Sequence, residues 1–351
     1  MARARTMTPM FLLALLRLGA GPVHGQSQAN PAPQIQATNS MESGGGPQKR
    51  VTFLMPEDGA IVHPGDKIRV EVSLLSGVVV DRMGLIGTLG VAEEIRERPP
   101  YSFTLNVPDT ELTSNSHLIG LHDINAWGGM KGRNGEELGF TTVDVEMPDL
   151  PVKLEVADGL MSQYNRMSFD EVGAERHLSV YGTFADGKEL QLRDSTYLKL
   201  SSGNTAIIRV FDHETVMSAG PGRTTLIASY AFGEKTMQAT VPVEVEVPST
   251  GLTSSPWSVD FGDIVVGSTS QSQIVTITNQ TESPVRISKF EMKGIFKEWD
   301  NCTEVPLRAS GGTCTFNVTF SPDRIGSQHL RVSLSNNPYS GPSFLLVGNG
   351  V

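Results

Sequence analysis

Apolar residues in this chain return at every second position, in run after run, and that period most restricts what it can fold into. Ile68, Val70, Val72 and Leu74 alternate with more polar neighbours, as do Tyr101, Phe103, Leu105 and Val107, then Val143, Val145 and Met147. Leu178 and Val180 lead to Phe184, and Thr224, Leu226, Ala228 and Tyr230 precede Val241, Val243, Val245 and Val247. The pattern closes with Val275 and Ile277, then Cys314, Phe316, Val318 and Phe320, then Leu330, Val332 and Leu334. Successive side chains of a strand point to opposite faces, so each run reads as a half-buried strand. No window of about 11 residues holds a 3.6-residue period, which makes the expected fold class all-β.

The 351 residues leave room for two or three domains at ~100–200 residues each. With 36 Gly, 21 Pro and only 19% charged residues, the chain is neither a disordered polyelectrolyte nor a helical bundle. Prolines at 148 and 151, and the run Pro248-Ser249-Thr250-Gly251, punctuate the strand runs. The spacing predicts three tandem β-sandwiches over 51–148, 149–249 and 250–351.

Ahead of them, Arg3 and Arg5, the apolar run Met10 to Leu18 and the small-residue context Val23-His24-Gly25 predict a secretory signal peptide over 1–25. That run is about half the ~20 residues a membrane span needs, so no membrane span is expected in the mature chain. Residues 26–50 are nearly free of large apolar side chains and read as a disordered linker. The whole chain carries 28 basic and 38 acidic residues; removing the three arginines of the leader leaves 25 against 38. A surface this acidic argues against nucleic acid as a partner.

Few residues carry candidate chemistry. Gly182 to Lys188 nearly matches a phosphate-cradling loop, but Glu189 stands where Ser or Thr would hold magnesium, and strand patterns flank it on both sides. Asp186-Gly187 is instead the dipeptide of a type I′ hairpin turn. His117, His122 and Asp123 could not chelate one ion from one strand, because His122 faces the other way and His117 lies about 20 Å from Asp123. The glycine-rich segment 123–137 could wrap calcium with Asp123, Asn125, Asn134 and Glu137, although a solvated loop is the simpler expectation. Trp127 in that segment could stack on a sugar or dock a partner, with Asn125 and Arg133 beside it. Trp257 and Trp299 sit beside strand starts and are expected in the core. No G-x-S-x-G elbow is present, and the acidic pairs Glu93-Glu94 and Glu136-Glu137 are adjacent rather than facing across a cleft. No catalytic residue and no cofactor are expected. The chain has two cysteines, Cys302 and Cys314, which in an exported protein are most simply a disulfide, with two buried thiols of a reducing compartment as the alternative.

Two of the three blocks resemble known families. The C-terminal one carries Phe261-Gly262 before Val266-Gly267, Asn279 at a strand end, two Cys flanking a Gly-rich hairpin, and Phe320-Ser321-Pro322 before Gly326. In these it resembles the ASH (ASPM/Hydin-type) domain of bacterial surface proteins, which implies an immunoglobulin-like sandwich and a disulfide between Cys302 and Cys314. The middle block, with VYGTFADGKELQL, STYLKLSSGNTAIIRV and VMSAGPGRTTLIASY, is similar to bacterial group-2 Ig-like domains. It departs from them at Tyr197-Leu198, where the family usually has Trp, so another aromatic is expected to fill that position. The first block resembles cadherin-like or Ig-like repeats in outline only. Together these resemblances imply a non-catalytic, exported bacterial protein, secreted, periplasmic or on the cell surface. It would be a spacer or adhesion module that meets protein or polysaccharide, or alternatively a carbohydrate-binding or enzyme-accessory module.

Overall fold

The computed structural model describes residues 49–351 apart from 92–94, 113–116, 131–134, 159–165, 248, 250, 289–291, 293 and 336–339. The expected leader, and the expected linker up to residue 48, lie outside the described residues. Backbone pairing already begins at Arg50, whose N–H donates to Leu138 O at 2.8 Å. Among the described residues every regular element is a strand.

The first stretch comprises β1 (Val51–Met55), β2 (Ala60–Val62), β3 (Lys67–Leu74), β4 (Arg82–Gly87), β5 (Gly90–Val91), β6 (Tyr101–Asn106), β7 (Gly120–Gly129) and β8 (Glu136–Val145). They form a three-stranded sheet, β1-β3-β6, and a five-stranded sheet, β2-β8-β7-β4-β5. The second stretch holds β9 (Lys153–Ala157), β10 (Met167–Phe169), β11 (Glu175–His177), β12 (Ser179–Thr183), β13 (Glu189–Gln191), β14 (Leu198–Ser202), β15 (Ile208–Val210), β16 (Thr215–Ser218), β17 (Gly222–Phe232) and β18 (Lys235–Val245). Its sheets are β10-β18-β17-β14, β11-β16-β15 and β13-β12-β9. The third contains β19 (Leu252–Ser255), β20 (Ser258–Ile264), β21 (Gln273–Asn279), β22 (Phe296–Asp300), β23 (Gly312–Phe320), β24 (Gly326–Ser335) and β25 (Ser340–Gly350), in sheets β19-β21-β23-β22 and β20-β25-β24.

One device opens all three stretches. The leading segment pairs antiparallel in one sheet, then crosses and runs parallel to the last strand of the other: β1 with β3 and β2 with β8, β9 with β12 and β10 with β18, β19 with β21 and β20 with β25. In the first and third stretches Pro56 and Pro256 stand at the crossing. Proline has no amide hydrogen to donate, so the ladder breaks there and the chain is released to the opposite sheet. A leading strand shared by two otherwise antiparallel sheets is the immunoglobulin-like arrangement.

The alternating residues fill the interiors as the period requires. Tyr101, Phe103, Leu105 and Val107 are all buried, as are Val241, Val243 and Val245, and Cys314, Phe316, Val318 and Phe320. One continuous apolar core runs through the first two stretches, and a second occupies the third. A smaller cluster of Val172, Met217, Ala219, Leu345 and Val347 joins the second stretch to the third. Salt bridges from Arg331 to Glu171 and from Arg209 to Asp260 (2.6 Å) flank that junction. Gly173, at φ 77°, leaves room there for the Arg331 stem, which a Cβ would meet at 2.7 Å.

Three local expectations are corrected. Asp186-Gly187 does join β12 to β13, but only Gly187 has positive φ (86°). Gly187 N–H donates to Phe184 O at 2.9 Å and Asp186 Oδ1 accepts from Lys188 N–H at 3.0 Å, so Asp186 holds the turn by a local hydrogen bond rather than by a left-handed backbone. Trp299 is 53% exposed instead of core. On β22, Phe296 points inward, so Trp299, three positions on, has the opposite parity and faces out. Trp257 is half-buried against the cluster joining the second and third stretches. Tyr197 does stand among aromatics, edge-on to Tyr230 at 5.7 Å and Phe232 at 5.4 Å.

Candidate functional site

The segment expected to be a glycine-rich loop is mostly the hairpin of β7 and β8. Trp127, Asn125 and Asp123 lie on β7, and Glu137 on β8; Arg133 and Asn134 lie outside the described residues. Five glycines in residues 120–135 obscured the strand in the sequence, yet Gly120, Gly128 and Gly129 each have a packing reason or a ladder partner. Gly128, for example, would place a Cβ 2.6 Å from buried Leu138. Ile124 and Ala126 face the core while Leu121, Asp123, Asn125 and Trp127 face outward.

That outward face is the candidate site. Asn125 stands opposite Phe140 on β8 and Ile86 on β4, and Trp127 stands opposite Glu137 and Gly84. Diagonal neighbours across a sheet lie ~7–8 Å apart, within reach of aromatic side chains, so Trp127 adjoins both Phe140 and Ile86. Trp127 is 41% exposed and Phe140 52%, with Ile86 and Ile95 exposed beside them; Leu121 is exposed further back along β7, beyond Asp123. Gly84 leaves the position across from Trp127 without a side chain. The rim is acidic: Asp123 and Glu136 are exposed, Glu137 is half-buried, and Arg50 pairs with Glu136. Single exposed apolar residues are ordinary, but a contiguous set on one flat sheet face is the usual mark of an interaction surface.

Of the calcium candidates, Asp123 and Glu137 do not converge, and Asn134 lies outside the described residues. Asp123 pairs with Thr142 and Glu137 with Trp127, four ladder positions further along, which is about 13 Å at 3.3 Å per residue. Among the described residues no group of three or more His, Cys, Asp or Glu is placed to hold a metal ion.

At its lower end the same face runs into the second stretch, and here the structure assembles what the sequence did not reveal. A cleft of about 470 Å³ is lined by Thr88, His117, Ile119, Leu121, His122, Arg193, Asp194 and His213. The expected opposition of His117 and His122 fails because β7 begins only at Gly120, so His117 precedes the strand and its parity. Both histidines therefore line one cleft. His122 is buried between Thr88 Oγ1 (2.9 Å) and Leu118 O (2.8 Å), and burial pushes its pKa down. Arg193 is held by Glu214 at 2.7 Å.

Beneath the cleft the two stretches are fastened by carboxylates. Glu146 is fully buried and accepts hydrogen bonds from Ser195 Oγ (2.6 Å), Thr196 Oγ1 (2.8 Å) and the Thr196 N–H. Glu111 accepts from Leu118 N–H (3.1 Å) and Gln191 N–H (2.7 Å), linking the stretches a second time. Burial pushes the Glu146 carboxyl above the usual carboxylate range against these hydrogen bonds, with the neighbouring Asp144 charge adding to the rise. Asp144 is likewise raised by burial, opposed by His122. Gly120, at φ 115°, lets the backbones close here: a Cβ would sit 2.5 Å from that of Asp194.

In the third stretch Cys302 and Cys314 form the disulfide, both buried. Asn279, the strand-ending Asn of the motif, is buried and fully used. Its Nδ2 donates to Ser283 O, Leu307 O and Arg308 O, and its Oδ1 accepts from the Thr281 N–H and Oγ1. Asn279 thereby holds the loops around it in place.

No protein-family profile matches the chain, and comparison with curated proteins finds no match. Among solved structures, the fibronectin(III)-like modules of Clostridium thermocellum CbhA align over 56% of this chain and 94% of that one, at 13% identity and a TM-score of 0.23. Domains 1–6 of the surface layer protein SbsC align over 86% and 40%, at 16% identity and 0.23. The ASH/PapD-like domain of human CEP192 aligns over 29% and 87%, at 18% identity and 0.23. At such scores the likeness adds nothing to what the strand ladders already establish.

Proposed function

We propose that the chain is a non-catalytic, exported protein of the bacterial cell envelope that acts as a spacer and interaction module, and that it binds its partner on the outward face of the five-stranded sheet. The observation that carries this is the contiguous exposed set Trp127, Phe140, Ile86 and Ile95 on a ladder-supported surface. A patch of this kind supplies the apolar centre of an interface, and its acidic rim suits a protein surface bearing lysines and arginines. The two fastened junctions suit a spacer, since they hold the face in a fixed relation to the rest of the chain. The disulfide is compatible with export into an oxidising compartment.

We further propose that the three stretches are separate evolutionary modules, the middle one of the bacterial group-2 Ig-like type and the last of the ASH type. A second reading, carbohydrate binding at the same face, has one observation in its favour: glycines stand directly opposite Trp127 on β4 (Gly84) and beside it (Gly135), leaving its indole 41% exposed. Binding of the full chain to isolated envelopes and to purified polysaccharides, with Trp127→Ala in parallel, tests both. Loss of envelope binding in the variant supports the protein-partner assignment, and loss confined to polysaccharide supports the second.

A further inference from the structure

The third stretch carries a different kind of face. On the outside of the sheet β19-β21-β23-β22 the ladder sets out four rows: Thr253, Thr278 and Thr313; Ser255, Thr276 and Thr315; Ile274, Asn317 and Trp299; and Thr319 with Lys297. Strand spacing puts neighbours within a row ~4.8 Å apart, and two residues of rise put successive rows ~7 Å apart. Lys297 is the one charged side chain in these rows. Trp299 and Ile274, 53% and 55% exposed, flank Asn317 in the third row and are its apolar members in a field of hydroxyls. At the Thr313 end lies a cleft of about 670 Å³ whose lining includes Asn301, Glu304, Arg308, Ser310 and Thr313, with one acid and one base among them. That size falls within the ~300–1,000 Å³ of ligand pockets.

From this placement we infer that the third stretch has its own saccharide-binding site, in which a neutral polysaccharide lies along the outer face with one ring stacked on Trp299 and its chain running toward the Thr313 cleft. A pyranose ring has an apolar C–H face and a hydroxyl periphery, which match an indole set among side-chain hydroxyls that both donate and accept. The near absence of charge selects a neutral polymer: the rows offer an anionic one only Lys297 and a cationic one no carboxylate, and in the cleft Arg308 is matched by Glu304. Trp299 to Thr313 is four ladder positions along β23, about 13 Å, enough for more than one sugar unit. This site is independent of the face around Trp127.

Affinity electrophoresis of the full chain in gels containing a soluble neutral β-glucan tests the inference, with polygalacturonate gels and high salt as comparisons. The expected result is retardation by the neutral polymer that persists at 1 M salt, because no ion pair is involved (the Debye length there is ~3 Å). Trp299→Ala is expected to weaken it at least ten-fold and Thr315→Val several-fold, while Trp127→Ala leaves it unchanged. Trp299 is exposed, so its removal leaves the fold intact, and an unchanged unfolding temperature verifies this. Retardation unaffected by Trp299→Ala, retardation only by polygalacturonate, or no retardation by the neutral polymer would each overturn the inference. The envelope-binding test of Trp127 stands or falls separately.

Discussion

Glu146 is the residue on which the first junction turns. It sits fully buried between two stretches, and its hydrogen bonds with Ser195 and Thr196 cross from one to the other. Because its folded pKa is raised above the unfolded value, the fold binds its proton more tightly, and stability from this group is complete at low pH. That stability is lost as pH rises from the ordinary carboxylate range through the raised value. Glu146→Gln keeps an acceptor for Thr196 and a partner for Ser195 but has no charge to bury. Its stability relative to the native chain should therefore increase with pH and level off above the Glu146 titration; chemical unfolding at a series of pH values reads this directly. Glu146→Ala instead strands Ser195 Oγ and both Thr196 donors, and should destabilise by about 2–4 kcal/mol at neutral pH. His122, whose pKa is lowered by burial, acts in the opposite sense: its contribution is present above the ordinary histidine range and is lost as pH falls through the lowered value.

At the scale of elements, the alternation marked the strands correctly, since Ile68 to Leu74, Tyr101 to Val107 and Val241 to Val247 all alternate into the core. Hairpin β7–β8 was the exception. Gly120, Gly128, Gly129 and Gly135 look like loop composition, and only the ladder shows that they permit a strand to pack closely at Leu138 and Asp194. Trp127 was thus legible as a candidate while its setting was not. Phe140 and Ile86 were invisible as partners because cross-strand register is not written in local sequence. The cleft of His117, His122 and His213 was hidden for the same reason, its lining being drawn from two stretches. Parity alone, applied to Phe296, would have placed Trp299 outside. The disulfide implied by family resemblance is formed, and it closes a short loop beside β23. Replacing Cys302 and Cys314 together by Ser should cost about 3 kcal/mol on the chain-entropy account of a loop this short. Thermal unfolding with and without a thiol reductant gives the same comparison, and the Ser variant should be indifferent to reductant.

Over the whole molecule, whose described residues form strand ladders and no helix, the cores are not partitioned evenly. The first two stretches share one continuous apolar core, whereas the third has its own and joins through a smaller cluster. Calorimetry of the full chain should therefore show residues 51–145 and 153–245 unfolding in one transition, with 252–350 free to separate from it. Removing Arg331 and Arg209, which flank the second junction, should widen that separation; three well-resolved transitions in the unaltered chain would contradict the shared core. Such fastening suits the proposed role as a spacer, because a face held on fixed ladders is presented in a fixed direction. The most direct test is equilibrium binding of the full chain to isolated cell envelopes, compared with the double variant Trp127→Ala, Phe140→Ala. Both residues are exposed, so the unfolding temperature should hardly move while affinity falls at least ten-fold. Equal binding by the variant at unchanged stability would contradict the assignment of this face as the interaction surface.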